Sequence, residues 1–170
     1  EKTRVPVVTT IMGKGAIPTT HPLYIGNIGM HGKYAANIAV SKCDVLFSIG
    51  TRFNDRITGD LNEFAPHAKI VHVDIDTASI SRNVVVDVPI VADANLAIEK
   101  LLEWAEPKRT DKWMAQIAEW ETENPLEMRR DRGMTAQMIM EQINHCFDEA
   151  IITTDVGQHQ MWAAQYYHYT

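Results

Sequence analysis

The residues best suited to chemistry stand in short clusters directly after apolar runs. Behind the run ending at Ile49 comes Gly50-Thr51-Arg52-Phe53-Asn54-Asp55-Arg56, which holds two arginines and an acid. Guanidinium groups grip phosphate or carboxylate oxygens in a bidentate fork, so the cluster suits an anionic ligand. A surface salt-bridge cluster is an equal reading of the same spacing. The stretch "KIVHVDID" delivers Asp74, where nucleotide-binding folds often take ribose hydroxyls, and Asp76, suited to capping the next helix. "VAD" puts Asp93 at a comparable place. "GNIGMHGKYAAN" sets Gly26, Gly29, Met30, His31 and Gly32 ahead of a helical stretch, where a glycine-dense loop can cradle an anion or lie against a ring. In "IMGKGAIP", Pro18 replaces the third glycine of a dinucleotide fingerprint, so Gly13 and Gly15 read equally well as a plain turn. The closing "TTDVGQHQMWAAQYYHYT" runs from an apolar segment into Asp155, Val156, Gly157, Gln158 and His159, the pattern of a chain approaching a ligand. His31 has no Cys or Asp partner at metal-ligand spacing, which argues against zinc. Neither a G-x-S-x-G elbow nor a Cys–His signature occurs. These residues describe a nucleotide-type cofactor domain without a complete catalytic set.

Parallel strands and intervening helices are the elements that could position such clusters. Val5 to Ile11, Asp44 to Gly50, Lys69 to Asp76 and the weaker Val88 to Ala92 are near-continuous apolar runs, as expected for parallel strands covered on both faces. Helical spacing marks Tyr34 to Lys42 and Ala94 to Trp104. Their alternation predicts an α/β fold with a doubly wound, mostly parallel sheet, Rossmann-like, followed by the incomplete start of a second α/β domain. Trp113, Ile117 and Trp120 share a face of a further helix that ends at Asn124-Pro125, and packing is the preferred reading over aromatic ligand contact. Thr135 is suited to cap a helix through about Phe147, and a strand is expected over Ala150 to Thr154. The expected divisions are 1–105 for the cofactor domain, 106–133 for a helical linker and 134–170 for the start of the next domain.

The chain has 170 residues, a net charge of −6 and 45% apolar residues, an ordinary globular composition with enough apolar material for a core. The acidic balance and the lack of a Lys/Arg cluster argue against a nucleic-acid partner, and no run is long and apolar enough to span a membrane. Cys43 and Cys146 lie far apart in apolar segments and read as buried free thiols in a reducing, cytoplasmic compartment.

Taken together, "GMHG", "GTRFNDRITG", "KIVHVDID" and "TDVGQHQMWAAQYY" closely resemble the catalytic large subunits of acetolactate synthase, a thiamine-diphosphate-dependent family that also binds FAD. The resemblance covers essentially the whole chain. It implies the middle, FAD-binding domain lacking its first β-α unit, followed by the opening of the diphosphate-binding domain. Carried over by position, Met12, Gly13, Met30, His31, Gly50, Arg52, Phe53, Asn54, Asp74, Ile75 and Asp93 would line the FAD site. Val156, Gly157, Gln158 and His159 would contact thiamine diphosphate. Met30, Asp55 and Arg56 would border the substrate channel, with Arg56 taking the carboxylate of the second 2-oxoacid. No magnesium ligand is implied within this chain, because the residues holding Mg2+ and the glutamate that activates the cofactor fall outside it. Asn54 stands where the family most often has Asp, and Ala92 where a glycine is common.

The resemblance also implies a parent enzyme that condenses pyruvate with pyruvate or 2-oxobutyrate, with loss of carbon dioxide, in branched-chain amino-acid biosynthesis. Homo-oligomers and a regulatory subunit are implied for the full-length chain. The isolated chain is expected to be inactive and can lack every one of these cofactors. The alternatives are another carboligase or oxidase using FAD and thiamine diphosphate, and a non-catalytic nucleotide-binding module.

Overall fold

The computed structural model describes residues 1–147 and 150–170. In chain order the elements are β1 (Val7–Thr9), β2 (Tyr24–Asn27), α1 (Tyr34–Lys42), β3 (Val45–Ile49), α2 (Asp55–Thr58), β4 (Lys69–Asp74), β5 (Val88–Val91), α3 (Ala94–Trp104), α4 (Asp111–Glu123), α5 (Ala136–Cys146) and α6 (Gln158–Tyr166). Two compact units result, one of Glu1–Val5 with Asn37–Thr110 and one of Pro6–Ala36 with Asp111–Thr170.

The first unit is built on a parallel sheet of order β3-β4-β5. Val45 pairs with Lys69 and Ile49 with Val73, while Val71 pairs with Val88 and Asp74 with Val91. Successive side chains on a strand point to opposite faces. On β4 both His72 and Val73 are buried, so this central strand is covered on both sides. The edge strands are not: Val45, Phe47 and Ile49 leave one face of β3 exposed, and Val88 and Val91 are exposed on β5. Pro89 fits an edge strand, which can spare an N–H from the ladder. Asp87 locks the start of the β4–β5 pair, its N–H donating to Ile70 O at 2.9 Å and its Oδ2 accepting from Ile70 N at 2.8 Å. Helix α3 begins where Asp93 Oδ1 accepts from the N–H groups of Asn95 and Leu96, a side-chain N-cap. It packs on β4 and buries Ala97.

The second unit holds β1 and β2, also parallel, with Thr9 paired to Asn27. Its core draws on Ile25, Ala35, Ala36, Ile117, Ala163, Ala164 and Tyr167. Trp113 and Trp120 meet edge to face, with ring centres 5.5 Å apart on α4. Thr135 caps α5 as its type predicts, accepting from Met138 N at 3.3 Å. Asn144 on α5 then ties down the end of α6, donating to Tyr166 O and accepting from His168 N.

The parallel α/β character agrees with the sequence, but the strands divide between two sheets because β1 pairs with β2 and not with β3. Among the described residues, Ala150 to Thr154 form no strand. An apolar run becomes a strand only where a neighbour takes up its backbone hydrogen bonds, and none of the described strands lies beside it; Ile151 is 95% exposed. Asp76 caps a turn and not a helix, accepting from Ala78 N and Ser79 Oγ. Both cysteines are free, but Cys146 is exposed, since it sits on the outer side of the last turn of α5.

Candidate cofactor-binding site

In the first unit the carboxyl ends of β3, β4 and β5 carry Gly50, Asp74 and the Asp93 cap, the side of a parallel sheet where ligands bind. The β3–α2 connection is the most constrained backbone there. Gly50 has φ +63 and donates to Val73 O at 2.8 Å, an arrangement that suits a residue without a Cβ. Phe53 also lies in the left-handed region, at φ +48, which costs an aromatic residue on the order of 1–3 kcal/mol. Its ring is only 3% exposed and meets Phe64 and His72 edge to face, with centres 5.8 and 5.0 Å away. Burying such a ring contributes roughly 1.5–3 kcal/mol, enough to offset the backbone strain.

With Phe53 turned inward, its neighbours Arg52 and Asn54 turn outward and line a cleft of about 210 Å³ with Ser79, Arg82 and Asn83. Asn54 precedes α2 without using its side chain as a cap. Ser79 is placed by Asp76, whose Oδ2 accepts its hydroxyl at 3.1 Å. The side-chain amide of Asn83 donates to Arg52 O at 3.2 Å and Phe53 O at 3.1 Å. Two guanidinium side chains with amide and hydroxyl groups between them can bind phosphate oxygens. The volume is below the roughly 300 Å³ of a typical small-molecule pocket, so it fits a portion of a dinucleotide and not the whole.

Of the other candidates in this unit, Ile75 is exposed at the end of β4. The Asp74 side chain is only 10% exposed, with Oδ1 accepting from Asp76 N at 2.8 Å and Oδ2 lying 3.7 Å from His72 Nε2. Asp55 and Arg56 open α2 outside the cleft lining, with Arg56 Nε 4.0 Å from Asp55 Oδ2. A larger groove of about 370 Å³ runs along α3 between Ile90, Leu96, Lys100 and Trp104, but its walls are almost wholly apolar. Local spacing in the sequence did not single out Ser79, Arg82 and Asn83. The available signal was a second arginine, in "SISRN", beyond the next strand of the same sheet end.

The second unit holds Met12, Gly13, Met30 and His31. Met12 and Met30 are exposed, and Gly13 N donates to Thr10 Oγ1. The glycine-rich loop closes on itself: Gly32 N donates to Gly29 O and Lys33 N to Asn27 O, both at 2.9 Å. The backbone carbonyl of His31 accepts from the buried Asn27 amide at 3.3 Å and from Gln165 of α6 at 3.0 Å, leaving the imidazole exposed. Lys14, in the first glycine pair, donates to Tyr24 OH at 2.7 Å and lies over the rings of Tyr24 and Tyr169. Burial, followed by the nearby Lys33 charge, lowers its pKa to about 8. Val156 is exposed, and Gly157 precedes α6 with no side chain capping the helix. Gln160 N donates to Gly157 O at 3.1 Å, and N–H groups at a helix start that no side chain caps suit a diphosphate. Gln158 and His159 are exposed on this first turn, the His159 ring folded against Gly157. Among the described residues no three His, Cys, Asp or Glu side chains group as metal ligands, and no helix is long and apolar enough to cross a membrane.

Residues 1–101 match the family described as thiamine pyrophosphate enzyme, central domain. The chain belongs to this family. As a thiamine pyrophosphate enzyme segment it is similar to the acetolactate synthase large subunit of Cyanidium caldarium, with 42% identity over 171 residues, covering 96% of this chain and 29% of that protein. It is 44% identical over 178 residues to the probable acetolactate synthase large subunit of Methanocaldococcus jannaschii, covering 98% and 30%. Acetolactate synthase isozyme 3 large subunit of Escherichia coli K12 is 39% identical over 176 residues, covering 98% and 31%. The chain thus spans less than a third of the length of these relatives.

Proposed function

We propose that the chain is a segment of an acetolactate synthase large subunit, comprising an FAD-binding middle domain over 1–105, a helical linker over 106–133 and the start of the thiamine-diphosphate-binding domain over 134–170. One observation carries this reading: 96–98% of the chain aligns with proteins bearing that name. The parent protein joins two 2-oxoacids, pyruvate with pyruvate or 2-oxobutyrate, with loss of carbon dioxide. Thiamine diphosphate, bound with Mg2+, would supply the means of breaking the carbon–carbon bond between the carboxylate and the 2-oxo carbon.

This chain's own residues bind and orient. The Arg52–Asn54 cleft suits the anionic part of FAD, with Gly50, Phe53, Asp74, Ile75 and Asp93 on the same sheet end; by resemblance to the family, Met12, Gly13, Met30 and His31 are also FAD-binding residues. Val156, Gly157, Gln158 and His159 receive the diphosphate of thiamine diphosphate. Arg56 takes the carboxylate of the second 2-oxoacid, and Met30 and Asp55 border its path. The full-length protein is a cytoplasmic homo-oligomer able to take a regulatory subunit.

Product identification tests the assignment. With thiamine diphosphate, Mg2+ and FAD, the full-length parent is expected to form acetolactate from pyruvate, and this chain alone none. Acetate and hydrogen peroxide from the parent would indicate an oxidase and overturn the assignment. Turnover by this chain alone would overturn its proposed inactivity.

A further inference from the structure

We propose that Asn83 is a positioning residue that holds Arg52 in place for an anionic ligand; the inference rests on the reading of the Arg52–Asn54 cleft as part of the FAD site. The turn it braces has an unusual problem. Phe53 sits at φ +48, where an aromatic residue persists only if its surroundings over-determine it. The Phe64 and His72 rings hold the Phe53 side chain, yet a held ring leaves the peptide planes on either side able to rotate. Rotation of the Arg52–Phe53 plane swings the Arg52 side chain away from the cleft.

Asn83 addresses those two planes. A side-chain amide nitrogen carries two hydrogens, and here it donates to both Arg52 O and Phe53 O, at 3.2 and 3.1 Å. Each bond fixes one carbonyl, hence one plane. The clamp itself stands on a braced segment: Asp76 accepts from Ala78 N and Ser79 Oγ, and Ser81 Oγ accepts from Val86 N at 3.3 Å. Asn83 is exposed, so it adds little to the buried core, and its removal should spare the fold. Its neighbour Arg82 lines the same cleft, so one short segment both braces the first guanidinium and supplies the second.

The experiment is an FAD titration, by flavin absorbance and fluorescence, of the full-length parent and its Asn83→Ala, Arg52→Ala and double variants. Asn83→Ala is expected to weaken FAD on the order of tenfold, the scale of one or two lost hydrogen bonds. If Asn83 acts through Arg52, the double variant binds within about twofold of Arg52→Ala alone, whereas an independent contact or a general structural role makes the losses multiply. A ligand-free arm uses trypsin on the folded 170-residue chain. Asn83→Ala should speed cleavage after Arg52 while the unfolding temperature stays close to the parent value. Multiplying losses, or Asn83→Ala binding FAD normally while Arg52→Ala does not, overturns the proposal. If Arg52→Ala also leaves FAD binding intact, or the parent binds no FAD, the site reading fails instead, and unchanged cleavage after Arg52 then removes the clamp as well.

Discussion

A methyl group added at Gly32 would lie 2.4 Å from the carbonyl oxygen of Asn27, and under 3 Å from two backbone atoms of Ile28. The glycine-rich loop doubles back on β2 so tightly that no side chain fits there. Backbone cannot yield as a flexible side-chain end does, so Gly32→Ala should destabilise the protein by about 2 kcal/mol or more, in the range of severe single substitutions. Gly15→Ala is the matched control: its φ of +86 is strained for alanine, but no atom lies within 4 Å. It should cost only about 1 kcal/mol. Denaturant unfolding of both variants checks the order, and equal losses would contradict it.

Core and surface should separate sharply at two isoleucines. Ile117 is 2% exposed on α4, and Ile117→Ala should cost about 2–4 kcal/mol through lost burial and the cavity left behind. Ile151, almost wholly exposed, should tolerate alanine within about 0.5 kcal/mol. The same unfolding measurement covers both.

Lys14 gives stability a pH dependence. Its pKa falls from an ordinary 10.5 to about 8 in the folded chain. Between those values the unfolded chain holds a proton the folded chain has released, so Lys14 makes stability rise with pH. Above pH 9 the Cys43 thiol, pushed from an ordinary 9.0 up to about 11, works in the opposite sense, which leaves the net rise between about pH 8 and 9. Burial raises the pKa of Tyr24, Tyr166 and Tyr169 above the ordinary 10.0, so above pH 10 the folded chain keeps protons the unfolded chain loses and the trend reverses. Lys14→Met should remove the rising limb in denaturant titrations at about pH 7.5, 8.3 and 9, below the range in which Cys43 opposes it. An unchanged rise would assign it to other groups.

The thiols should react at different rates. Cys43 is partly buried, its Sγ donating to Val40 O, and burial with the Asp44 charge pushes its pKa up to about 11. Cys146 is exposed. A thiol-disulfide reagent at about pH 8 should therefore give a fast and a slow phase, because the thiolate is the reacting form. Cys146→Ser should abolish the fast phase and leave the slow one.

Local signals in the sequence carried the helices well. The spans of α1 and α3 match the apolar spacing, and Thr135 serves as the cap its residue type predicts. Strand β2 was not legible, because Gly26, at φ +152, breaks the β-branched pattern, and α6 was hidden by its mixture of aromatic and polar residues. Arg52 and Asn54 could be found because they stand directly behind a strand. Ser79, Arg82 and Asn83 could not, because their place beside Arg52 depends on the pairing of β3 with β4 across some thirty positions of chain. Spacing within one segment does not encode that neighbourhood.

Phe53 belongs to the interior, while the residues on either side of it, Arg52 and Asn54, line the cleft. The placing of Arg52 and Asn54 at the cleft therefore depends partly on β4, where His72 supports the ring, and on Phe64 beyond it. Substitutions at Phe64 and His72 would reshape a cleft that neither residue lines.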